Sequence, residues 1–192
     1  MKKLIYALIA STLVACATVT PQQKLGEAFQ LLQSDRPIPA EALMKQALDE
    51  FKAQGNDYDL GLAQFMYGQF VRSKHFTWQF FRSYYPNTDT QEQRNALAKS
   101  YFLAARDSFR KALSNPQLAQ DKRTGYLWRE YLANIELGDK KGICASLNSM
   151  KASNEAYQAA FPGAKVYVHA PYKTFDEFIE SASSNSECYT SK

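Results

Sequence analysis

Long apolar runs are almost missing from this chain of 192 residues. The only one, Leu4 to Ala15, counts twelve residues, whereas a bilayer-spanning helix needs about 20, so no spanning helix is expected. Histidine and cysteine are scarce, at two and three. With no CxxC, and with His75 and His169 far in sequence from Cys144 and Cys188, no metal site is expected. An excess of one charge is also absent. Twenty-three Lys+Arg against nineteen Asp+Glu leaves +4, without a run of five like charges, so nucleic acid is not an expected partner. No Ser-His-Asp arrangement, Walker loop, HExxH or glycine fingerprint occurs. His75 and His169 have no sequence neighbour that would make either a general base, and Asp57, Asp59, Asp176 and Glu177 read as helix-start residues. The expectation is a protein that is not an enzyme and carries no cofactor. Its 45% hydrophobic share suffices for the core of one ordinary domain.

The amino end is the most informative segment. Lys2 and Lys3 precede the short apolar run, which ends in Leu13-Val14-Ala15-Cys16. A basic start, a short apolar stretch and a small residue before the cut describe an export signal. The four residues from Leu13 to Cys16 resemble the lipobox of bacterial lipoproteins. That resemblance implies that the Cys16 thiol takes a diacylglycerol, that cleavage follows Ala15, and that the new amino group is acylated (palmitate-type chains). Two or more chains anchor stably, at about 0.8 kcal/mol per buried CH₂, so the membrane contact would be the lipid. Ala17, rather than Asp, follows the cysteine, which in such lipoproteins implies outer-membrane sorting, facing the periplasm. Loss of residues 1–15 removes two lysines and leaves a nearly neutral mature chain. In an oxidising compartment Cys144 and Cys188 are expected to pair, although two separate thiols are the alternative. Closing that loop would add about 4 kcal/mol in the chain-entropy account.

The expected organisation is a signal peptide over 1–15, a lipidated tether over 16–23, one helical domain over 24–183 and a Ser/Asn-rich tail over 184–192. Within the domain the period is that of helices. Leu43, Met44, Ala47, Leu48 and Phe51 form one stripe behind Pro39, and Gly55-Asn56-Asp57 ends it. Tyr58 to Val71 is apolar almost all round and predicts an inner helix, whose Gly61 and Gly68 suggest close approach of another backbone. Ala98, Phe102, Ala105, Phe109 and Ala112 alternate small and large until Asn115-Pro116 stops them. Trp128, Tyr131, Leu132 and Ile135 predict the next buried face, and Gly138-Asp139 turns into a helix reaching Met150.

From Ala40 to Met150 this pattern resembles tetratricopeptide-type helical hairpins. Ala105, Phe109 and Ala112 sit at the small, aromatic, small positions of that repeat, with Pro116 near its proline. Gly138-Asp139 with Ile143, Leu147 and Met150 repeats the turn and helix with larger residues, and Gly55, Leu60 and Tyr67 give a weaker third match. Gly55 and Gly138 stand 83 apart, not a multiple of about 34, and a generic helical bundle is the alternative. The expected fold class is all-α: antiparallel hairpins, then an irregular or extended segment around Val166-Tyr167-Val168, then a last helix opened by a Thr174 to Glu177 capping box and running through Ser181.

Seven rings crowd eleven positions between the hairpins: His75, Phe76, Trp78, Phe80, Phe81, Tyr84 and Tyr85. They either fill the core or form a binding surface. Phe76, Trp78, Phe80, Phe81, Tyr84 and Tyr85 are accordingly the candidate partner-binding residues. A helical array exposes extended faces suited to a protein partner, so the expected function is assembly or scaffolding in the cell envelope. The rival is a small-ligand or lipid-binding accessory protein whose pocket these rings line.

Overall fold

The computed structural model describes residues 19–77, 81, 84–164, 168 and 171–188. The expected lipobox with Cys16, and Trp78, Phe80, Val166, Tyr167 and His169, lie outside them. Among the described residues the chain is all-α, with seven α-helices: α1 (Pro21–Gln33), α2 (Pro37–Gln54), α3 (Asp57–Arg72), α4 (Gln91–Leu113), α5 (Gln120–Leu137), α6 (Lys140–Ala160) and α7 (Phe175–Asn185). A 3₁₀ turn, Lys74–Thr77, follows α3. None of these helices is long and apolar enough to cross a membrane.

Local chemistry sets the ends. The tether expected to reach residue 23 is helical from Pro21. Thr20 Oγ1 accepts from Gln23 N–H while Gln23 Oε1 accepts from Thr20 N–H, a reciprocal cap with proline in the first turn. Thr90 and Gln93 open α4 in the same way. Gly55 and Gly138 end α2 and α5 at φ +65°, the left-handed geometry that favours glycine. Asn56 and Asp139 then cap the helices that follow. At α7, Thr174 accepts from Glu177 N–H as expected, but the Glu177 carboxylate turns to Lys173 N–H, one residue earlier than a closed box requires. The helix also runs to Asn185, four residues past the predicted stop and into the expected tail.

Successive helices pack as antiparallel neighbours, and cross-links between them fix the directions. Gln22 donates to Asp59 at the starts of α1 and α3. Tyr58 stacks on Tyr126 at the starts of α3 and α5, with centroids 3.8 Å apart, and Arg72 pairs with Glu136 at their ends. So α1, α3 and α5 run parallel, with α2, α4 and α6 running the other way. Lys24 to Glu50, Lys111 to Asp57 and Gln120 to Ser153 tie starts to ends across the antiparallel pairs.

The core has two parts. One joins α1 to α4 and includes Met44, Ala47, Phe51, Tyr67, Phe70, Phe102, Phe109 and the connector rings Phe76 and Phe81. The other holds Leu127, Tyr131, Leu147, Met150, Ile179 and Ala182 from α5, α6 and α7, and Leu132 packs against both. The face predicted for α5 is turned by about one position. Leu127, Tyr131, Ala133 and Asn134 are buried while Ile135 is exposed, because α5 lies between two helices and must serve both cores.

The α3–α4 contact departs from expectation in an instructive way. What approaches Gly61 and Gly68 is not backbone but the rings of the alternating stripe. A Cβ at Gly61 would stand 2.6 Å from Phe109 Cε1, and one at Gly68 would stand 2.7 Å from Phe102 Cε1. Both pairs are seven residues apart, so in an antiparallel pair Gly61 meets Phe109 and Gly68 meets Phe102. Cys144 in α6 and Cys188 after α7 form the expected disulfide, with Cα atoms 5.4 Å apart.

Candidate functional site

The long connector between α3 and α4 lies across the start of α2, at the end of the array where α1, α3 and α5 finish. Its inner rings are core. Phe76 and Phe81 are fully buried, stack at 5.3 Å, and meet Phe70 edge-on at 5.5 and 5.3 Å. The expectation that these two rings belong to a partner-binding surface is therefore corrected: three rings fill the space that a partner would need. Tyr84 is different, at 65% exposure. Tyr85 is half-buried, with its ring 5.2 Å from Phe76. Trp78 and Phe80 lie outside the described residues.

Beneath Tyr84 lies a polar cluster. Glu41 in α2 is 8% exposed, and its Oε1 accepts from Tyr67 Oη at 2.7 Å and from Tyr85 Oη. The two hydroxyls also lie 2.6 Å apart. Lys45, one turn on, places Nζ 3.1 Å from Glu41 Oε1 and 5.0 Å from the ring centroids of both Tyr84 and Tyr85. Burial, with hydrogen bonds to Tyr85 and Glu41, holds the Tyr67 hydroxyl far above the ordinary tyrosine range. Burial and the bond to Glu41 likewise raise Tyr85, against the opposing pull of Lys45 and Tyr67. Burial alone would lower the Lys45 ammonium, but its interactions with Tyr85 and Glu41 override that and raise it. Tyr101 in α4 is raised by burial, against Lys45.

Chemically, this arrangement keeps both tyrosines as proton donors and the lysine as a cation. It offers no tyrosinate base and no amine nucleophile at ordinary pH. It works as a clasp: the connector is bonded to α2 and α3 through one carboxylate, which a buried polar group requires. The connector's far side is fixed by Arg94, whose guanidinium donates to the carbonyls of Thr88 and Asp89 and to Gln91. His75 Nδ1 stands 3.2 Å from Asp35 Oδ1, too misaligned for a hydrogen bond. Glu41 and Lys45 were missed in the sequence. Their signal was a Glu–Lys pair four residues apart on one helix face.

Other exposed apolar side chains share this end. Phe29 in the second half of α1 is 53% exposed, Ile38 at the start of α2 39%, and Ile135 at the end of α5 44%. A cavity of about 520 Å³ opens elsewhere, between α6 and α7, and is lined by Lys151, Asn154, Glu155, Gln158, Asp176, Ile179 and Glu180. None of the described connector rings lines it. Among the described residues no group of histidine, cysteine and carboxylate side chains is arranged to hold a metal ion.

No family model matches the chain, and no curated protein and no solved structure matches it either.

Proposed function

We propose that this is a lipid-anchored envelope protein, held by Cys16 in the outer membrane and facing the periplasm, whose helical array docks another envelope protein in an assembly or scaffolding role. The anchor rests on the lipobox from Leu13 to Cys16. A tetratricopeptide-like reading of the array is supported by the parallel row of α1, α3 and α5, each followed by an antiparallel partner. The observation that carries the docking role is the set of exposed apolar side chains, Phe29, Ile38, Tyr84 and Ile135, gathered at the end of the array opposite Thr20. Large apolar and aromatic side chains left outside a filled core are what partner recognition uses.

The test places the photo-crosslinker p-benzoylphenylalanine at position 84 or 38 of the full lipoprotein in its native envelope, with position 103, on the outer face of α4, as the control. A discrete protein adduct from 84 and 38, absent from 103, is the expected result. Absence of a protein adduct from either, together with a copurifying small molecule or lipid, would replace docking with the ligand-binding reading. Membrane association unchanged in Cys16→Ser would remove the anchor.

A further inference from the structure

The anchor and the helix directions together determine which end of the molecule meets the bilayer. From Cys16 to the cap residue Thr20 is a chain of only four residues, which can span at most about 14 Å. Thr20 is fixed to the fold by its two hydrogen bonds with Gln23. A lipid on Cys16 therefore holds the first turn of α1 against the headgroups, and with it the starts of α3 and α5 and the ends of α2, α4 and α6, which lie at that same end.

Among the described residues two exposed apolar side chains occur there. Val19 is 49% exposed, directly before the cap. Phe161, at the carboxyl end of α6, is 51% exposed, with its ring 5.1 Å from that of Tyr157. Its position follows from the chain direction: Gln120 and Thr124 at the start of α5 bond to Ser153, so the residues after Ser153 run beyond the start of α5. Charge at this end is mixed. Lys111 pairs with Asp57, Arg110 with Glu130, and Arg123 donates to Leu113 O. A predominantly electrostatic attachment is not what these pairs provide. An aromatic ring beside a short anchor instead suits the interfacial layer, where an apolar body partitions among headgroups and upper acyl chains.

We infer that this end lies flat on the phospholipid surface, with Phe161 inserted into the interface as a second membrane contact that orients the array and directs the Tyr84 end away from the bilayer. The inference rests on the lipid-anchor reading, so its test must separate the two. The full lipoprotein, carrying p-benzoylphenylalanine in place of Phe161 or of Tyr84, is reconstituted in vesicles of phosphatidylethanolamine and phosphatidylglycerol, illuminated and weighed intact. The expected result is acyl groups on Cys16 in both proteins, with phospholipid adducts at 161 and their loss at 84. Acylated Cys16 with no phospholipid adduct at 161, or with equal adducts at 161 and 84, overturns the apposition and leaves the anchor standing. Unacylated Cys16 overturns both.

Discussion

The α3–α4 interface makes a prediction in which two effects of opposite sign compete. Replacing a helical glycine by alanine gains about 1 kcal/mol of helix propensity. Gly125 in α5 has nothing within 4 Å of an added Cβ, so Gly125→Ala should realise that gain and raise Tm by about 2–4 °C. Gly61→Ala starts from the same gain, but its methyl would stand 2.6 and 2.8 Å from two atoms of the Phe109 ring. Phe109 is fully buried and abuts Tyr58, so the ring cannot simply swing out, and α3 must shift away. Overpacking of this kind costs about 1–3 kcal/mol, which outweighs the propensity term and leaves a net loss of about 0–2 kcal/mol. Gly68→Ala meets Phe102 at 2.7 Å and should behave alike. The double variant should lose less than the two losses summed, because one displacement of α3 relieves both contacts. Urea denaturation of the four proteins reads the signs directly. Gly61→Ala as stabilising as Gly125→Ala would show that the ring does not press on the helix, and the account of this interface would be wrong.

Phe76→Ala should cost about 3–5 kcal/mol, as expected for a buried ring, while Tyr84→Ala should stay within about 0.5 kcal/mol; urea midpoints compare them, and a neutral Phe76→Ala would return that ring to the surface. Tyr67 and Tyr85 hold their protons more firmly when folded than in the unfolded chain, where tyrosine titrates near pH 10. Their stabilisation is therefore complete below about pH 10 and lost progressively above it. Stability measured from pH 8 to about pH 11 should fall at the alkaline end, and Tyr67→Phe should flatten that fall. Cys144 and Cys188 should resist alkylation until reduced, and Cys144→Ser should lose up to about 4 kcal/mol, read as a lower Tm. Alkylation of the folded protein without reductant would refute the pairing.

Much of the helical order was legible because it is local. The stripe of Ala98, Phe102, Ala105 and Phe109 is buried as its spacing implies, and Gly55 and Gly138 end their helices with the backbone that glycine favours. Pro21 lies in a stretch with few apolar residues, the composition of a tether, although Thr20 and Gln23 carry the side chains of a reciprocal cap. The last helix outran its expected stop because Ile179, Ala182 and Ser183 are buried, and the sequence does not announce which neighbours a short helix will find. The candidate site was the least legible part. Glu41 and Lys45 precede Tyr84 and Tyr85 by about 40 residues, and their meeting depends on how the connector crosses α2.

By itself the sequence determined an all-helical chain and the glycine turns that end two of its helices, since these depend on residue identity and short-range period. Only the tertiary structure decided which of the described connector rings are core and which face outward, what Gly61 and Gly68 make room for, and which helix ends lie together at each end of the array. Those outcomes come from helix directions and from volume shared between segments distant in the chain, which no local pattern encodes.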